Sequence, residues 1–251
     1  LSLVENPKFG YGKNMNPCVD CRIYMFHIGR QVMDEENAQF LVTGEVLGQR
    51  PMSQQRQAMK LIDKQSGMEG QVLRPLSAKF FRATVAETEG WVDREKLLKI
   101  EGRGRKEQAK LAESLGVTRF SPPGGGCLLT DSQFSKRLRD FFAHEKTSTP
   151  AQKLARAEVL KFGRHFRITE DTKVVVARND TENHKLEALS ESTNAIFFEP
   201  ENFLGPVALV YGKLGDEEVT LIAKLLSRYG KPAENAEPKV AYLSNGNRLE
   251  V

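Results

Sequence analysis

Residues 40–46 read Phe40-Leu41-Val42-Thr43-Gly44-Glu45-Val46, and this stretch decides the fold class of the first half of the chain. A short apolar run that precedes a glycine-containing loop is typical of a buried strand in a parallel sheet. Such sheets bind ligands in a crevice at the carboxyl ends of their strands, so the loop up to Gln54 is expected to face one. The candidate crevice residues are Gly44, Glu45, Gly48, Gln49 and Ser53. The sequence therefore predicts an α/β fold.

Helical patterns surround this strand. Apolar residues recur at helical spacing after Arg22 and predict a helix whose first turn holds Cys18 and Cys21. Anions are favoured at that end of a helix. Further helices are predicted at 53–66, 93–100, 104–115 and 132–143.

The pattern changes after Pro150. A basic helix near 151–161 is followed by short runs that predict strands at 166–168, 172–177, 195–198, 207–211 and 240–243, and by a helix near 216–229. Strands and helices in one short segment indicate a small α+β domain. We therefore expect a boundary near 147–160, which divides the chain into domains 1–147 and 148–251.

The composition is that of a folded globular protein, with 251 residues, 39% of them hydrophobic and 28% charged. No run approaches the roughly 18 apolar residues that a membrane helix needs, and the first residues lack the pattern of a secretory signal. We therefore expect a cytoplasmic protein. Because the chain begins with Leu1 instead of methionine, we also expect a processed or truncated product.

Charge is distributed unevenly along the chain. Residues 168–251 hold 9 Lys and Arg against 14 Asp and Glu, a net of −5, so residues 1–167 carry 28 − 19 = +9. The basic residues are densest at 136–167. Such a cluster is typical of a surface that binds nucleic-acid phosphates, although an ordinary solvated helix face has the same appearance. The candidate RNA contacts are Lys136, Arg137, Arg139, Arg156 and, further along the chain, Arg178.

Three cysteines carry the chemical signal. Two form the motif Asn16-Pro17-Cys18-Val19-Asp20-Cys21, and the third ends the motif Pro122-Pro123-Gly124-Gly125-Gly126-Cys127. A Cys-x-x-Cys pair is compatible with a redox dithiol, a zinc half-site or an iron–sulfur ligand pair, and spacing alone does not choose between them. Zinc would need a fourth ligand, for which His27 and His144 are the nearest candidates in sequence. Three cysteines suit a [4Fe–4S] cluster with one open iron. The alternative is that they are ordinary, partly buried residues.

A family resemblance is carried by the string Leu41-Val42-Thr43-Gly44-Glu45-Val46-Leu47-Gly48-Gln49, with Ser53-Gln54 and Val72-Leu73-Arg74-Pro75-Leu76 downstream. These residues resemble the PP-loop domain of the tRNA 4-thiouridine synthetases. The Asn-Pro-Cys-x-x-Cys motif and the later lone cysteine are similar to the wider group of tRNA thiouridylases, including the 2-thiouridine enzymes. The resemblance covers roughly residues 6–142 and implies the distal part of a Rossmann-like PP-loop ATP pyrophosphatase domain.

The sequence departs from that family in one respect. PP-loop enzymes bind ATP through a Ser-Gly-Gly-x-Asp-Ser loop, and no such loop occurs in this chain. The departure implies a fragment that does not activate uridine by itself, with ATP as a cofactor of the complete enzyme only.

A second resemblance lies in the string Val174-Val175-Val176-Ala177-Arg178-Asn179-Asp180-x-x-Asn183-His184-Lys185-Leu186. It is similar to the Gly-Arg-Asn-x-x-Glu-Asn-Asp-x-Leu signature of the RNA-binding domain in the NFACT ribosome-associated proteins. The resemblance covers about 160–251, with Ala177 where glycine is usual. The net charge of −5 in this part speaks against direct phosphate binding and leaves a contact through Arg178 and the preceding basic helix, or a protein-docking role.

Together the resemblances imply tRNA uridine thiolation, in which ATP adenylates a uridine carbonyl and sulfur displaces the oxygen. Two variants fit the catalytic candidates Cys127, Cys18 and Cys21. In one, the three cysteines ligate a [4Fe–4S] cluster that presents sulfide. In the other, Cys127 carries a persulfide that Cys18 or Cys21 resolves as a disulfide. We favour the cluster because it gives the third cysteine a role.

Both variants require the Cys127 loop to fold back over the helix that begins with Cys18, since ligation and disulfide exchange need proximity. The expected partners are tRNA and a sulfur donor protein. The alternative function is a non-enzymatic RNA- or ribosome-binding module with a structural metal site.

Overall fold

The computed structural model describes residues 1–119, 126–145, 148–232, 234, 237–244 and 247–251. The chain forms two compact units, Leu1–Asp131 and Ser132–Val251. Both mix helices with strands, so the α/β class expected from the sequence is confirmed. No helix in the described part of the chain is long and apolar enough to cross a membrane.

The first unit contains a two-stranded parallel sheet. Leu41 of strand β1 pairs with Val72 of strand β2, and Val42 pairs with Leu73. The strands are β1 (Leu41–Val42) and β2 (Val72–Leu73), and the helices are α1 (Ser2–Glu5), α2 (Cys18–Glu35), α3 (Arg56–Ser66), α4 (Val85–Thr88) and α5 (Lys106–Ser114). The core of this unit lies where α2 packs on α3. It buries Phe26 and Met33 of α2 against Ile62 of α3 and Met68 beyond it.

The second unit is a six-stranded antiparallel sheet with the strand order β3-β4-β6-β5-β7-β8. Its strands are β3 (Arg164–Arg167), β4 (Lys173–Val176), β5 (Ile196–Pro200), β6 (Ala208–Tyr211), β7 (Val240–Ser244) and β8 (Asn247–Glu250). Its helices are α6 (Ser132–His144), α7 (Pro150–Val159), α8 (Asp180–Thr193) and α9 (Asp216–Tyr229).

Alternation along β4 builds a core on each face of this sheet, because successive side chains of a strand point to opposite faces. Val174 and Val176 pack in a cluster with Ile222 and Leu226 of α9. Val175 packs in a second cluster, which includes Val159 of α7 and Leu186 of α8. The strand is buried along its whole length, including the charged Lys173 at its start.

Two sequence-based expectations about the first unit need correction. The strand expected over Phe40–Val46 is only two residues long. The helix expected at 93–100 is wrong: it is a 3₁₀ turn at Arg94–Lys96, followed by extended chain. The amides of Leu98 and Ile100 donate to the carbonyls of Pro75 and Leu76 at 2.8 Å, and these bonds hold the segment outside a helix.

Helix α6 belongs to the second unit, although composition placed the boundary after residue 147. Its Asp140 carboxylate forms ion pairs with Arg167 at 2.9 Å and Lys173 at 2.6 Å. These contacts attach α6 to the first two strands of the sheet. The structural division therefore falls between residues 131 and 132.

Candidate functional site

The Cys-x-x-Cys pair stands at the first turn of α2, as the sequence predicts. Cys18 is the first helical residue, after Pro17, and Asp20 is buried. The Asp20 carboxylate accepts hydrogen bonds from the backbone amides of Lys8 at 2.8 Å and Phe9 at 3.1 Å. The aspartate inside the motif thus fastens the preceding segment to the helix start. The positive end of the helix dipole stabilises an anion at this position.

Cys18 meets the loop that was predicted to face a crevice. Its Sγ lies 3.1 Å from Oγ of Ser53, a fully buried residue, in a hydrogen bond. The crevice loop follows β1, which is parallel to β2, so its expected position at the carboxyl end of a parallel strand is confirmed. The helix start and the loop therefore form one site.

Cys127 is fastened to the same neighbourhood by the residues that follow it. The Asn14 side-chain amide donates to the carbonyl of Thr130 at 2.7 Å, and the amide of Met15 donates to the carbonyl of Leu129 at 3.1 Å. Asn14 and Met15 lie just before α2, so the segment after Cys127 folds back over the helix start, as expected. The glycine run up to Gly125 lies outside the described residues.

The Cys21 thiol is affected by the two other cysteines. Burial raises the pKa of the Cys21 thiol, and the charges of Cys18 and Cys127 raise it further, against the opposing effects of Arg22 and Arg50. All three cysteines are free thiols. Cys21 is therefore held toward its protonated form, and only the thiolate form of a cysteine is the nucleophile.

A ready metal site is not formed by these groups. Among the described residues, no group of three or more His, Cys, Asp or Glu side chains is arranged to hold a metal ion. Neither His27 nor His144 completes such a group. The iron–sulfur cluster therefore stays a prediction.

Glu45 of the crevice loop lies in a buried network of charges. Its Oε2 accepts a hydrogen bond from Nε of Arg74 at 2.9 Å, and Nε of Arg22 lies 3.1 Å from its Oε1. Arg74 also binds both carboxylate oxygens of Asp63, at 2.6 and 2.9 Å. Burial raises the pKa of Asp63 in spite of these bonds. The sequence analysis assigned no role to Arg22, Asp63 or Arg74. The Arg74-Pro75 pair directly after β2 was the one feature of the sequence that could have indicated a functional arginine.

The remaining crevice candidates shape the loop. Gly44 is exposed, and a Cβ there would meet no atom within 4 Å. Gly48 has a φ of +77°, a conformation that favours glycine, and its amide donates to the Gln54 carbonyl at 2.6 Å. The Gln49 side chain donates to Gln108 on α5 at 3.1 Å. The structure thus brings Glu45 and Ser53 into the site and gives Gly48 and Gln49 positions that support the loop.

The candidate RNA contacts fall into two groups. Lys136 and Arg139 are exposed on α6 and have no ion-pair partner in the part of the chain that the structure describes. Arg137 is half-buried, and its guanidinium donates to the Leu160 carbonyl at 3.0 Å. Arg156 is paired with Glu145 at 2.8 Å, and Arg178 with Glu182 at 2.5 Å. Lys136 and Arg139 are therefore the members best placed to meet phosphates.

The Arg178–Leu186 motif supports the fold of the second unit. The side chain of Asn179 accepts from the amide of Glu182 and caps α8. The Glu182 carboxylate accepts from the backbone amides of Gly163 at 3.1 Å and Arg178 at 2.9 Å. The Asn183 side chain accepts from the Val207 amide at 3.1 Å. These residues hold the first turn of α8 to neighbouring segments.

Fold and site together define a two-unit protein that combines a thiol site in its first unit with exposed cations in its second. Residues 10–79 match the family model described as thiamine biosynthesis protein (ThiI), and residues 163–251 match the model described as NFACT protein RNA binding domain. No curated protein and no solved structure gives a significant match. The two family matches confirm the two resemblances seen in the sequence and indicate a sulfur-related function joined to RNA binding.

The matched segments divide the candidate residues. Cys18, Cys21 and the crevice loop lie inside the first match, and Arg178 lies inside the second. Cys127 and the basic residues of α6 and α7 lie outside both.

Proposed function

We propose that this chain supplies the sulfur-transfer site and part of the RNA-binding surface of a tRNA uridine thiolation enzyme. The observation that carries the proposal is the convergence of Cys127, the Cys18–Cys21 helix start and the crevice loop in one neighbourhood. Sulfur transfer to an activated carbonyl requires a soft nucleophile next to the substrate site, and a second thiol to release the product.

The chemistry balances with the thiols alone once a sulfur donor protein has left a persulfide on Cys127. The terminal sulfur attacks the uridine carbon that ATP has activated as an adenylate, and AMP leaves with the electron pair of the carbon–oxygen bond. Cys18, as a thiolate, then attacks Sγ of Cys127. The bond between Sγ and the transferred sulfur breaks, and its electrons form the thiocarbonyl. A Cys18–Cys127 disulfide remains, which an external dithiol reduces.

Cys18 fits the resolving role better than Cys21. It stands at the helix start, and the Ser53 hydroxyl can donate to its sulfur once the thiol has ionised. Burial and the neighbouring cysteines hold Cys21 toward its protonated form. In the alternative route, Cys18, Cys21 and Cys127 would bind a [4Fe–4S] cluster that supplies sulfide for the same displacement.

Activation of the uridine needs an ATP-binding segment that this sequence does not contain. Strand β1 pairs with β2 alone among the described strands, and parallel sheets this small are not stable by themselves. Helix α2, which contacts β1, exposes a stripe of four apolar side chains: Tyr24, Met25, Ile28 and Val32. Val42 of β1 is exposed as well. We propose that a strand and a helix that carry the ATP loop pack against β1 and the apolar stripe of α2.

The decisive variant is Cys127→Ala, assayed together with the ATP-binding segment. Because activation and sulfur delivery are separate steps, thiouridine measured by mass spectrometry should be lost while ATP-dependent adenylation of tRNA continues. Cys21→Ala separates the two routes: it should retain most activity in the persulfide route and lose it in the cluster route. Anaerobic reconstitution gives a second readout, since stoichiometric iron and sulfide would support the cluster and tight zinc binding without iron would exclude it.

The second candidate function is a non-enzymatic RNA-binding module, which the match of residues 163–251 favours. In that case RNA binding would be unchanged in all three cysteine variants, and no variant would alter the thiouridine content of tRNA. Full thiolation by Cys127→Ala would therefore favour this module over sulfur transfer by the chain.

A further inference from the structure

A cleft of about 500 Å³ opens in the first unit, between α3 and the segment that follows β2. It is separate from the cysteines, and none of them lines it. Its volume lies in the range of sites that bind small molecules. The floor is apolar and the rim is charged, with lining residues that include Val72, Leu73, Ala78, Phe80, Phe81 and Arg82.

The rim carries cations that the protein itself does not neutralise. Arg56 and Lys60 lie four residues apart on α3 and therefore on one face, and Arg82 lies on the opposite wall. All three are exposed, and none has an ion-pair partner within the described ranges.

The acidic residues of the cleft are mostly engaged. Asp63 is bound by Arg74, and Glu87 is paired with Arg94 and bonded to Thr84. Glu69 is the one lining carboxylate for which the described structure shows no ion pair. Three unneutralised cations against one such carboxylate leave an excess of positive charge at the rim.

Two aromatic rings stand beside these cations. The Phe81 ring lies 5.7 Å from the guanidinium carbon of Arg56 and 5.5 Å from that of Arg74. Arg56 also donates to the backbone carbonyl of Phe80 at 2.7 Å, which fixes its position over the Phe81 ring, and the Phe80 ring lies 5.5 Å from Nζ of Lys99. Exposed cations interleaved with partly exposed rings are typical of surfaces that bind single-stranded nucleic acid, because the cations meet phosphates and the rings stack on bases.

We propose that this cleft binds an unpaired nucleotide of an RNA strand. Phosphates lie against Arg56, Lys60 and Arg82, and the base packs on Phe80 and Phe81. An acidic peptide would use the cations but would leave the apolar floor and the rings without a partner. The inference rests on the proposed function in that it takes RNA as the substrate class, and it assigns a contact in the first unit, apart from the basic helices of the second.

Buried charges connect the cleft with the thiol site. Arg74 binds Asp63 on the cleft side and Glu45 on the side of the crevice loop, and Glu45 in turn faces Arg22, the neighbour of Cys21. A nucleotide held in the cleft would thus be anchored to the same rigid network that positions the crevice loop.

The test uses the whole chain and a fluorescein-labelled single-stranded oligouridylate, with affinity measured by fluorescence anisotropy at several salt concentrations. Lys60→Glu combined with Arg82→Glu should weaken binding at least about tenfold and reduce the salt slope by about 1.4, the share of two phosphate contacts on a single strand. Phe80→Leu should weaken binding roughly fivefold or more and leave the salt slope unchanged, because it removes stacking and no charge. Free uridine monophosphate, added as a competitor, distinguishes a site that binds free mononucleotides from a site that binds a nucleotide only as part of an RNA strand.

The matched control is Lys106→Glu with Lys110→Glu, which makes the same change in net charge on α5 of the same unit, where both lysines are exposed. Equal losses in the cleft variant and the control, or no binding by the wild-type chain at low salt, would overturn the cleft assignment. An acidic peptide that displaces the RNA and binds with unchanged affinity to Phe80→Leu would also overturn it. Thiouridine formation is measured separately from RNA affinity. If the cleft variants bind RNA normally, the Cys127→Ala assay still tests the proposed sulfur transfer, and if that assay contradicts sulfur transfer, the RNA affinity of the cleft variants still tests the cleft.

Discussion

Glu45 was predicted to face a ligand, and the structure gives it two arginines. Its carboxylate is buried between Arg22 and Arg74, and its Oε1 makes no hydrogen bond to any described group. A buried carboxylate of this kind compensates positive charge in a low-dielectric interior, where Asp63 alone would otherwise balance Arg74 and Arg22. Glu45 therefore has a structural role: it connects the crevice loop to Arg22 of α2 and to Arg74 after β2.

Glu45→Gln should lower the free energy of unfolding by about 3 kcal/mol, because it leaves two partly or fully buried guanidiniums with less compensating charge. Urea denaturation followed by circular dichroism measures the change. Glu95→Gln is the control, since Glu95 pairs with Lys79 in an exposed ion pair whose loss should cost less than about 1 kcal/mol. Similar losses in both variants would show that the Glu45 network is not special.

His165 gives the second unit a pH-dependent stability. Its pKa is lowered to about 3, first by burial and then by the positive charges of Lys173 and Arg137, against a hydrogen bond to the Phe162 carbonyl and the charge of Asp140. In the unfolded chain a histidine takes up its proton near pH 6.5. Below that pH the unfolded state binds a proton that the folded state does not, so stability is present above pH 6.5 and falls as the pH falls toward 3.

We expect the second unit to lose about 2 kcal/mol of stability between pH 7 and pH 5 through this residue alone. Chemical denaturation at the two pH values measures the loss. His165→Gln should flatten the dependence in this range, whereas His184→Gln should leave it unchanged because His184 is exposed on α8. A slope that persists in His165→Gln would contradict the assignment. Asp140 contributes to stability in a lower pH range. Burial raises its pKa, but the hydrogen bonds and charges of Arg167 and Lys173 outweigh this effect and hold the pKa at about 2. Its contribution to stability is therefore lost as the pH falls from about 4 to 2.

At the scale of elements, α2 shows how a short motif builds a site. Asp20 lies between the two cysteines in sequence but turns inward to bind the amides of Lys8 and Phe9. The cysteines are left on the accessible side of the first turn, next to a chain segment that cannot move away. The segment so fastened also carries Asn14 and Met15, which hold the residues after Cys127.

Asp20→Ala should release this segment without unfolding α2, whose core contacts through Phe26 and Met33 remain. Hydrogen exchange of the Lys8 and Phe9 amides should become at least about tenfold faster, and the free energy of unfolding should fall by about 1.5–3 kcal/mol, the range for hydrogen bonds to a charged group. Asp34→Ala, an exposed change on the same helix, is the control. Unchanged exchange at Lys8 and Phe9 would show that other contacts hold the segment.

The elements also show where sequence reasoning stops. Helix α2 was predictable because its apolar residues recur at helical spacing, which is a local property. The pairing of β1 with β2 was not, since two-residue strands carry almost no pattern and their register depends on bonds such as that from the Thr43 amide to the Leu73 carbonyl. The same holds for Cys127: its motif indicated a functional cysteine, but the position of the residues that follow it, next to the start of α2, depends on a hydrogen bond from a residue more than a hundred positions away.

At the scale of the whole molecule, each unit has its own core, and the candidate functions follow that division. The thiol site and the cleft are built within residues 1–131, and the exposed cations of α6 lie within residues 132–251. The carboxylate of Asp140, the acidic residue next to Arg139 on α6, is engaged by Arg167 and Lys173 and does not pair with these cations.

Lys136→Glu combined with Arg139→Glu should therefore weaken binding of tRNA and reduce the salt slope by about 1.5, as expected when two phosphate contacts are lost. Arg137 is left intact because its bond to the Leu160 carbonyl belongs to the fold. The matched control is Lys224→Glu with Arg228→Glu on α9, an equal change in net charge on the helix that covers the other face of the sheet. Filter-binding titrations from 50 to 200 mM salt measure both slopes, a range over which roughly six phosphate contacts change affinity by about a thousandfold. If the α9 variant loses as much slope as the α6 variant, attraction by overall charge explains the binding; a loss confined to the α6 variant places the phosphate contacts on that helix.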